Sequence, residues 1–154
     1  MNNIQWNIKT FLELRVEQLF EVLQLRVNVF VVEQQCAYPE LDDYDRHPET
    51  RHLSGRNDVG ELITYARLLP SGLRYAEVNL GRFVVKAEWR KKGIGHQLLQ
   101  ATLKEVSSCW PETPIRISAQ DYLQAFYEQY GFVQKSEVYL EDGIPHIEMV
   151  KDPE

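Results

Sequence analysis

Apolar residues recur along the chain with spacings that predict an ordered series of strands and helices. Ile4, Trp6 and Ile8 alternate with polar residues, which is typical of a half-buried strand. From position 16 to position 31, apolar residues recur every three or four positions, so we expect an amphipathic helix packed on a sheet. The apolar stripe predicted for this helix consists of Val16, Leu19, Phe20, Leu23, Val27, Phe30 and Val31.

Two polar features accompany this helix. Thr10 and Glu13 have the spacing of a capping box, but a helix start a few residues later fits the pattern equally well. Arg26 lies on the edge of the apolar stripe, and we expect it to pair with a nearby carboxylate rather than to act in catalysis.

The remaining pattern predicts further strands and helices separated by turn residues. The predicted strands are 52–55, 61–69, 76–85, 115–119, 132–140 and 146–150. One helix runs from Ile94 until Pro111 and Pro114 end it, and a short one spans 123–130, with Gly131 at its C-cap. The order β-α-β-β-β-α-β-α-β-β predicts a mixed α/β sheet in a single domain spanning residues 1–154.

A long irregular segment, residues 37–48, is rich in carboxylates, aromatic residues and prolines. Such long loops are often binding loops. One interpretation is an acidic mouth that attracts an amine, and the alternative is a solvated loop whose charge serves solubility.

Composition narrows the class of protein. The chain has 154 residues, of which 44% are hydrophobic and 26% charged, as in ordinary globular proteins. The net charge of -6 argues against nucleic acid as a partner. No apolar run approaches the roughly 20 residues that span a bilayer, the start is too polar for a signal peptide, and Cys36 and Cys109 have no partner spacing. We therefore expect a cytoplasmic protein that does not bind membranes.

The segment from Arg90 to Gly95 carries the most chemistry. Three cations, Arg90, Lys91 and Lys92, precede Gly93 and Gly95 between a predicted strand and a predicted helix. The first turn of a helix presents unpaired N–H groups, and glycine allows a ligand to approach the backbone closely. This arrangement is typical of an anion site suited to phosphates, and the alternative is a plain connection between a strand and a helix.

Two motifs on these elements resemble the GNAT acyltransferase superfamily. The first is Arg90-x-x-Gly93-x-Gly95, and the second is Leu123-x-x-Phe126-Tyr127-x-x-x-Gly131-Phe132. Further segments resemble its ElaA-like branch, and the resemblance covers nearly the whole chain. These segments are Leu25-Arg26-x-x-Val29-Phe30-Val31-Val32-Glu33-Gln34, Arg51-His52, Gly81-Arg82-x-x-Val85 and Glu141-Asp142-Gly143-Ile144-Pro145-His146.

The resemblance implies a mostly antiparallel sheet with a central splayed parallel pair, flanked by helices, and acetyl-CoA as cosubstrate without a metal. The pantetheine arm would bond the free backbone of the strand before the loop, and the pyrophosphate would bond N–H groups of the loop. The residues expected to bind the cofactor are Phe83, Val84, Val85, Arg90, Lys91, Lys92, Gly93, Ile94, Gly95, His96, Gln120, Phe126 and Tyr127.

The resemblance also implies transfer of an acetyl group to a primary amine by direct attack in a ternary complex. Tyr127 matches the position of the general acid that protonates the thiolate. Many relatives carry a glutamate base where this chain has Asn79, which cannot accept a proton. Glu33 and His146 are the preferred candidates for the base, and a water chain is another possibility. The other candidate side chains are Glu77, Asp42, Asp43 and His52.

The acceptor and the assembly state stay open at this stage. A small-molecule amine or a peptide amine would fit a mildly acidic cleft, and the chain could be a monomer or a homodimer. The spacing of Cys36, His47 and His52 matches no standard zinc site. The alternative function is an acetyl-CoA-binding sensor or interaction module without catalysis, which the missing strand glutamate would permit.

Overall fold

The computed structural model describes residues 3–153, so Met1, Asn2 and Glu154 of the predicted domain lie outside the described residues. The strands are β1 (Gln5–Lys9), β2 (Arg51–Arg56), β3 (Leu62–Leu69), β4 (Val78–Val85), β5 (Ile115–Gln120), β6 (Val133–Gln134), β7 (Tyr139–Glu141) and β8 (Ile144–Lys151). The helices are α1 (Val16–Val27), α2 (Ile94–Cys109) and α3 (Gln124–Glu128).

The strands form one sheet in the order β1-β2-β3-β4-β5-β8-β6, with β7 also paired to β8. β4 and β5 run parallel, and the other neighbouring pairs within residues 3–153 are antiparallel. This topology confirms the predicted mixed sheet with a parallel pair at its centre.

The two parallel strands stay together over only a short distance. Val78 to Leu80 of β4 pair with Ile115 to Ile117 of β5, and beyond Leu80 the two strands diverge. On its other side, β4 pairs with β3, and Gly81 lies opposite Arg67 while Val84 lies opposite Tyr65. Two residues of β4 therefore face one residue of β3 between these pairs. The extra residue forms a bulge in β4, and such bulges bend a strand and increase its twist.

Helices cover both faces of the sheet. The larger apolar cluster joins α2 to the central strands and includes Leu80, Leu98, Leu99, Ile117 and Met149. The smaller cluster packs α1 on the opposite face and consists of Val22, Leu25, Val29, Leu62, Tyr65 and Val84, with Phe30 against it.

The apolar stripe predicted for α1 is wrong at two positions, although its member Phe30 does pack against the smaller cluster. Val16 and Phe20 are 84% and 65% exposed, whereas Val22, Leu25, Arg26 and Val29 are buried. The helix is rotated so that Arg26, expected at the edge, faces the sheet. A π-helical turn over Asn28–Glu33 then shifts the phase of the residues that follow.

The start of α1 follows the later of the two expected positions. α1 begins at Val16, and the backbone N–H of Arg15 bonds the side chain of Gln18. Thr10 and Glu13 instead close a separate 3-10 turn, in which the Thr10 N–H donates to Glu13 Oε1 over 2.9 Å.

Arg26 lies at the centre of a buried group of ion pairs. Its guanidinium donates to Glu40 Oε2 over 2.6 Å and to Asp45 Oδ1 over 2.7 Å, which confirms the expected carboxylate partner. Arg67 donates to Asp45 Oδ1 and Asp42 Oδ1, over 3.0 and 2.8 Å. Arg82 reaches Glu40 Oε2 over 2.9 Å. We call these three arginines and three carboxylates the arginine–carboxylate network.

The network overturns the acidic mouth expected from residues 37–48. Glu40 and Asp45 turn inward and are neutralised by arginines from α1, β3 and β4. The solvated-loop alternative fails for the same two residues, which are 3% and 7% exposed. It holds for Asp43, whose partner Arg46 is also exposed.

The predicted strand 132–140 is interrupted in the structure. β6 and β7 both pair with β8, but the segment between them leaves the ladder. The Lys135 N–H donates to the Glu148 carbonyl over 2.8 Å, and the Glu148 N–H donates to Ser136 Oγ over 2.9 Å. A serine side chain thus replaces one backbone partner, which residue alternation alone does not reveal.

The network generates a prediction about stability. Asp45→Asn is expected to lower the free energy of unfolding by about 3–5 kcal/mol at pH 7, because it leaves buried arginines short of a charged partner. Urea unfolding followed by circular dichroism measures the change. Asp43→Asn is the matched control and is expected to change it by less than about 1 kcal/mol, because the Asp43–Arg46 pair is exposed.

The stability of Asp45→Asn should depend on pH differently from that of the wild-type protein. Burial raises the pKa of Asp45, but the hydrogen bonds and charges of Arg26 and Arg67 outweigh it and lower the pKa to about 2. Because the folded pKa lies below the unfolded value, the stabilisation by Asp45 is present above about pH 4 and is lost as the pH falls toward 2. An equal loss of stability on acidification in wild type and Asp45→Asn would contradict this account.

Candidate active site

A cavity of about 1090 Å³ occupies the gap between the diverging ends of β4 and β5. It continues past the first turn of α2 and the start of α3 to the turn between β7 and β8. Of the predicted cofactor-binding residues, the lining includes Phe83, Val84, Val85, Arg90, Lys91, Gly93, Ile94, Gly95, His96, Gln120, Phe126 and Tyr127, and both preferred base candidates, Glu33 and His146.

The divergence of the strands frees main-chain groups of Val85. In an antiparallel pair, hydrogen-bonded and non-hydrogen-bonded residue pairs alternate. The Lys86 N–H donates to the Ile63 carbonyl over 2.8 Å, so the preceding pair, Thr64 and Val85, is the non-hydrogen-bonded one. The N–H of Val85 therefore points away from β3 and into the gap.

The segment after β4 forms a concave backbone loop. Lys91 and Gly93 adopt left-handed conformations, with φ of 62° and 79°, and α2 begins directly afterwards at Ile94. Left-handed residues next to a helix start direct successive N–H groups toward one point, which makes an anion-binding concavity. Gly93 meets the conformational demand without the strain that a side chain would bring.

Arg90 has a different place from the one expected of a phosphate-binding cation. Its Nε donates to the Val85 carbonyl over 2.9 Å, and its two terminal nitrogens donate to the carboxylate of Glu33. Arg90 therefore fixes the end of β4 against the π-helical turn that follows α1. Lys91 and Lys92 are exposed, and the Lys92 ammonium lies 5.4 Å from the centre of the Trp89 ring.

The ion pair with Arg90 weighs against Glu33 as a base. Hydrogen bonding to Arg90 lowers the pKa of Glu33, so the carboxylate holds a proton less readily than an ordinary glutamate. Both of its oxygens are engaged by the guanidinium.

Tyr127 is buried at the wall of the cavity. Its ring packs against Phe83, Phe126 and Phe132, with ring centres 6.1, 5.2 and 5.8 Å apart. Burial raises the pKa of its phenol, so the hydroxyl stays protonated. Within residues 3–153 this hydroxyl forms no hydrogen bond with the protein, unlike that of a purely structural buried tyrosine.

His96 joins the first turn of α2 to α3 through its side chain. Its Nδ1 lies 2.7 Å from the Tyr130 hydroxyl, and its ring centre lies 4.8 Å from that of Phe126. The imidazole is therefore engaged in holding α3, and the main-chain N–H is the group of His96 that faces the predicted phosphate site.

His146 lies on β8, opposite Gln120 of β5. Its Nδ1 lies 2.7 Å from the Ile144 carbonyl, which only accepts hydrogen bonds, so Nδ1 carries the proton in the neutral ring. Nε2 then holds the lone pair and lies 3.5 Å from Glu141 Oε2. Glu141 Oε1 in turn accepts a hydrogen bond from Ser118 Oγ over 3.3 Å.

The other base candidates have partners or lie elsewhere. Glu77 pairs with Arg116, and Asp43 with Arg46, outside the lining of the cavity. Asp42 lines the cavity but pairs with Arg67 and Arg82.

His52 and Asn79 are likewise engaged. His52 is buried between the Tyr65 hydroxyl and the Asp45 carbonyl, and burial lowers its pKa. Asn79, in the position of the missing glutamate, lines the cavity and donates its amide to the Arg116 carbonyl over 2.9 Å.

Among the polar residues of the lining that sequence reasoning missed are Glu141, Arg74 and Ser118. Glu141 lies within a segment that resembles the ElaA-like branch, but its approach to His146 depends on the turn between β7 and β8. Arg74 and Ser118 carry no local signal, because only the fold brings them to the cavity. In the part of the chain that the structure describes, no group of three His, Cys, Asp or Glu side chains could hold a metal ion. No helix of that part is long and apolar enough to cross a membrane.

Comparisons with known proteins identify one family. A family profile described as an acetyltransferase (GNAT) domain matches residues 24–153. Protein ElaA of Escherichia coli K12 is 43% identical over 150 residues, which cover 97% of each chain. The crystal structure of E. coli ElaA superimposes with a TM-score of 0.91 at 41% identity, covering 97% of this chain and 100% of the other. An acyl-CoA N-acyltransferase from Pseudomonas aeruginosa gives 0.92 at 44% identity, covering 97% and 99%.

The concave loop generates a prediction about cofactor affinity. Gly93→Ala places a side chain at φ 79°, which costs about 1–2 kcal/mol and shifts the N–H groups that face the phosphate site. We expect acetyl-CoA binding, measured by isothermal titration calorimetry, to weaken about tenfold.

Gly60→Ala is the matched control for strain. Gly60 has φ 85°, and, as at Gly93, an added Cβ would meet no atom within 4 Å. Gly60 does not line the cavity, so this variant should lose a similar amount of thermal stability while keeping wild-type affinity for acetyl-CoA. Equal affinities for all three proteins would show that the loop does not bind the cofactor.

Proposed function

The chain belongs to the GNAT acetyltransferase family, and from that premise we propose that it transfers the acetyl group of acetyl-CoA to a primary amine by direct attack in a ternary complex. The family and its ElaA relatives support an acyl-CoA-dependent N-acyltransferase. The observation that carries the finer proposal is the gap between β4 and β5. A free main-chain N–H, a buried tyrosine hydroxyl and an anion-binding loop line that one cavity.

The donor half of the reaction rests on β4 and the loop that follows it. The N–H groups from Lys91 to His96 would bond the pyrophosphate, and Lys91 and Lys92 add positive charge nearby. Phe83 and Val85 would bond the pantetheine arm as an extra strand would, whereas the Val84 carbonyl already accepts a hydrogen bond from Thr64 Oγ1 over 2.7 Å. Gln120 and Phe126 lie on the opposite wall, on β5 and α3.

Val85 is suited to stabilise the oxyanion of the tetrahedral intermediate. Its N–H points into the gap and is fixed there, because Arg90 holds the carbonyl of the same residue. Donors that are positioned before the reaction need no reorganisation as charge develops, and one such donor lowers the activation free energy by about 3–4 kcal/mol.

Tyr127 is proposed as the group that stabilises and protonates the departing thiolate. As the amine nitrogen bonds the thioester carbon, the carbon–sulfur bond breaks and leaves its electron pair on sulfur. An ordinary thiol has a pKa of about 8.5, so the buried phenol first donates a hydrogen bond to the developing charge. Its proton then completes the thiol, and solvent returns a proton to the phenolate.

His146 is proposed as the base that receives the proton of the amine. Its tautomer is set by the Ile144 carbonyl, which leaves the lone pair on Nε2, and the residue lines the same cavity as Val85 and Tyr127. Glu141 beside it stabilises the imidazolium that forms. A water chain that ends in bulk solvent is the alternative acceptor for that proton.

Tyr127→Phe tests the acid. We expect kcat for amine-dependent thiol release to fall about 10²-fold with little change in acetyl-CoA affinity, because only the hydroxyl is removed. Tyr122→Phe removes a hydroxyl from an exposed tyrosine and should retain most of the activity. Unchanged kinetics for Tyr127→Phe would refute the assignment, and tight acetyl-CoA binding without turnover over a broad amine panel would favour a sensor or interaction module.

His146→Ala tests the base by chemical rescue. The variant should lose about 10²-fold in kcat and regain activity when imidazole is added, because a free imidazole can occupy the vacated space. His47→Ala, at a histidine outside the cavity, should neither lose activity nor respond to imidazole. If imidazole does not rescue His146→Ala, His146 is not the base.

A further inference from the structure

A second polar group of the cavity lies on the sheet face opposite α2. Ser118, Tyr139, Glu141 and His146 form it, and we call it the Glu141 cluster. Ser118 Oγ bonds both the Tyr139 hydroxyl and Glu141, and His146 Nε2 faces the second oxygen of the same carboxylate. Glu141 keeps 38% of its side chain exposed, so a ligand in the cavity can reach it.

The position of this cluster identifies the side from which the acceptor arrives. Ile117 and Ala119 of β5 belong to the apolar cluster under α2, and successive side chains of a strand point to opposite faces. Ser118 therefore faces the other way. The donor loop lies at the start of α2, so the two substrates would meet in the gap from opposite faces of the sheet.

The charges around the cavity do not favour a polycation. Among the described residues of the lining, the carboxylates are Glu33, Asp42, Glu141 and Asp142, and the cations are Arg74, Arg82, Arg90 and Lys91. The two sets are equal in number. Lys91 lies in the donor loop and Arg90 is paired with Glu33, so the part of the lining beside the Glu141 cluster presents Glu141, Asp142 and Arg74. A ligand that carries both charges has a partner for each there, whereas a polyamine would leave Arg74 without one.

Arg74 differs from the other arginines of the lining. Arg82 donates to Glu40, and Arg90 donates to Glu33 and to the Val85 carbonyl. Arg74, 29% exposed, makes no hydrogen bond to any residue from 3 to 153. Its guanidinium lies 5.3 Å from the Tyr75 ring centre, and its Nη2 lies 3.9 Å from Glu141 Oε1. Its donors are thus available to a ligand beside the Glu141 cluster.

We propose that the acceptor is an α-amino acid, with Arg74 as the residue that selects it. The ammonium contacts Glu141 and His146, and the carboxylate accepts hydrogen bonds from Arg74. An α-amino acid carries its ammonium and its carboxylate on one carbon. Arg74 Nη2 and Glu141 Oε1 are 3.9 Å apart, so both can contact the oppositely charged groups of one small ligand. The planar guanidinium matches a carboxylate in two parallel hydrogen bonds. This inference rests on the proposed acetyl transfer and names its substrate class.

The same geometry explains which amines are disfavoured. A diamine brings a second ammonium toward Arg74, where like charges repel. An internal lysine of a peptide carries no carboxylate close to its reacting amine and leaves the guanidinium without a partner. In either case the reacting nitrogen lies beside His146, so the amine is still acetylated, but it lacks the contact with Arg74 that favours an α-amino acid.

Matched acceptors test the proposal. L-Phenylalanine, L-phenylalaninamide and phenethylamine share one side chain and differ in the carboxylate, and L-lysine and cadaverine form a second pair. We expect wild-type kcat/KM, measured by thiol release from acetyl-CoA, to be about 10- to 100-fold higher for each amino acid than for its analogue without a carboxylate.

Arg74→Gln separates this effect from the basicity of the amine. The variant should lose most of its kcat/KM for the amino acids through KM and keep it for phenethylamine and cadaverine. Arg15→Gln changes an arginine that is outside the cavity lining and 70% exposed, and should leave every ratio unchanged. Calorimetric acetyl-CoA affinity and thermal melting establish that the variants are folded.

The outcomes distinguish this inference from the proposed function. Acetylation of amines with no preference for the carboxylate, or with a preference that survives in Arg74→Gln, overturns the amino-acid assignment and leaves the transferase intact. Absence of thiol release with every acceptor, despite bound acetyl-CoA, overturns the transferase itself.

Discussion

One extra residue in β4 is the constraint on which the rest of the site depends. Arg82 adopts φ 53°, a left-handed conformation that a non-glycine residue rarely takes, and the strand bulges there. Pairing with β5 ends at Leu80, just before it. Because the two strands then part, Val85 presents an unpaired N–H and the cavity opens beside Tyr127. A regular parallel pair would consume those groups in the sheet.

The arginine–carboxylate network is what holds that bulge. Arg82 donates to the carboxylate and the carbonyl of Glu40, and the same carboxylate accepts from Arg26 of α1. Burying several charges is costly, so such a group gives little net stability compared with an apolar core. Its contribution is to position, because its hydrogen bonds join the loop 37–48 to α1, β3 and β4. The network thereby connects folding to the geometry of the reaction.

Some features of the fold and the site could be predicted from the sequence and others could not, and the reason is physical. The Arg90–Gly95 loop depends on neighbours a few residues apart, so local spacing was enough to predict an anion site there. Tyr127 was found through a motif that resembles the GNAT superfamily. The buried face of α1 and the inward turn of Glu40 and Asp45 depend on partners from distant strands. Apolar periodicity assigned Val16 and Phe20 to the core for this reason. Arg74 and Ser118 reach the cavity only through the sheet order.

The central claim is that the gap between β4 and β5 holds the thioester against Val85 and Tyr127. A crystal structure of the protein with a non-reactive thioether analogue of acetyl-CoA tests it most directly. We expect the pyrophosphate on the N–H groups that begin α2, the acyl oxygen within hydrogen-bond distance of the Val85 nitrogen and the sulfur within reach of the Tyr127 hydroxyl. An analogue bound with its acyl group outside this gap, or with β4 and β5 closed upon each other, would contradict it.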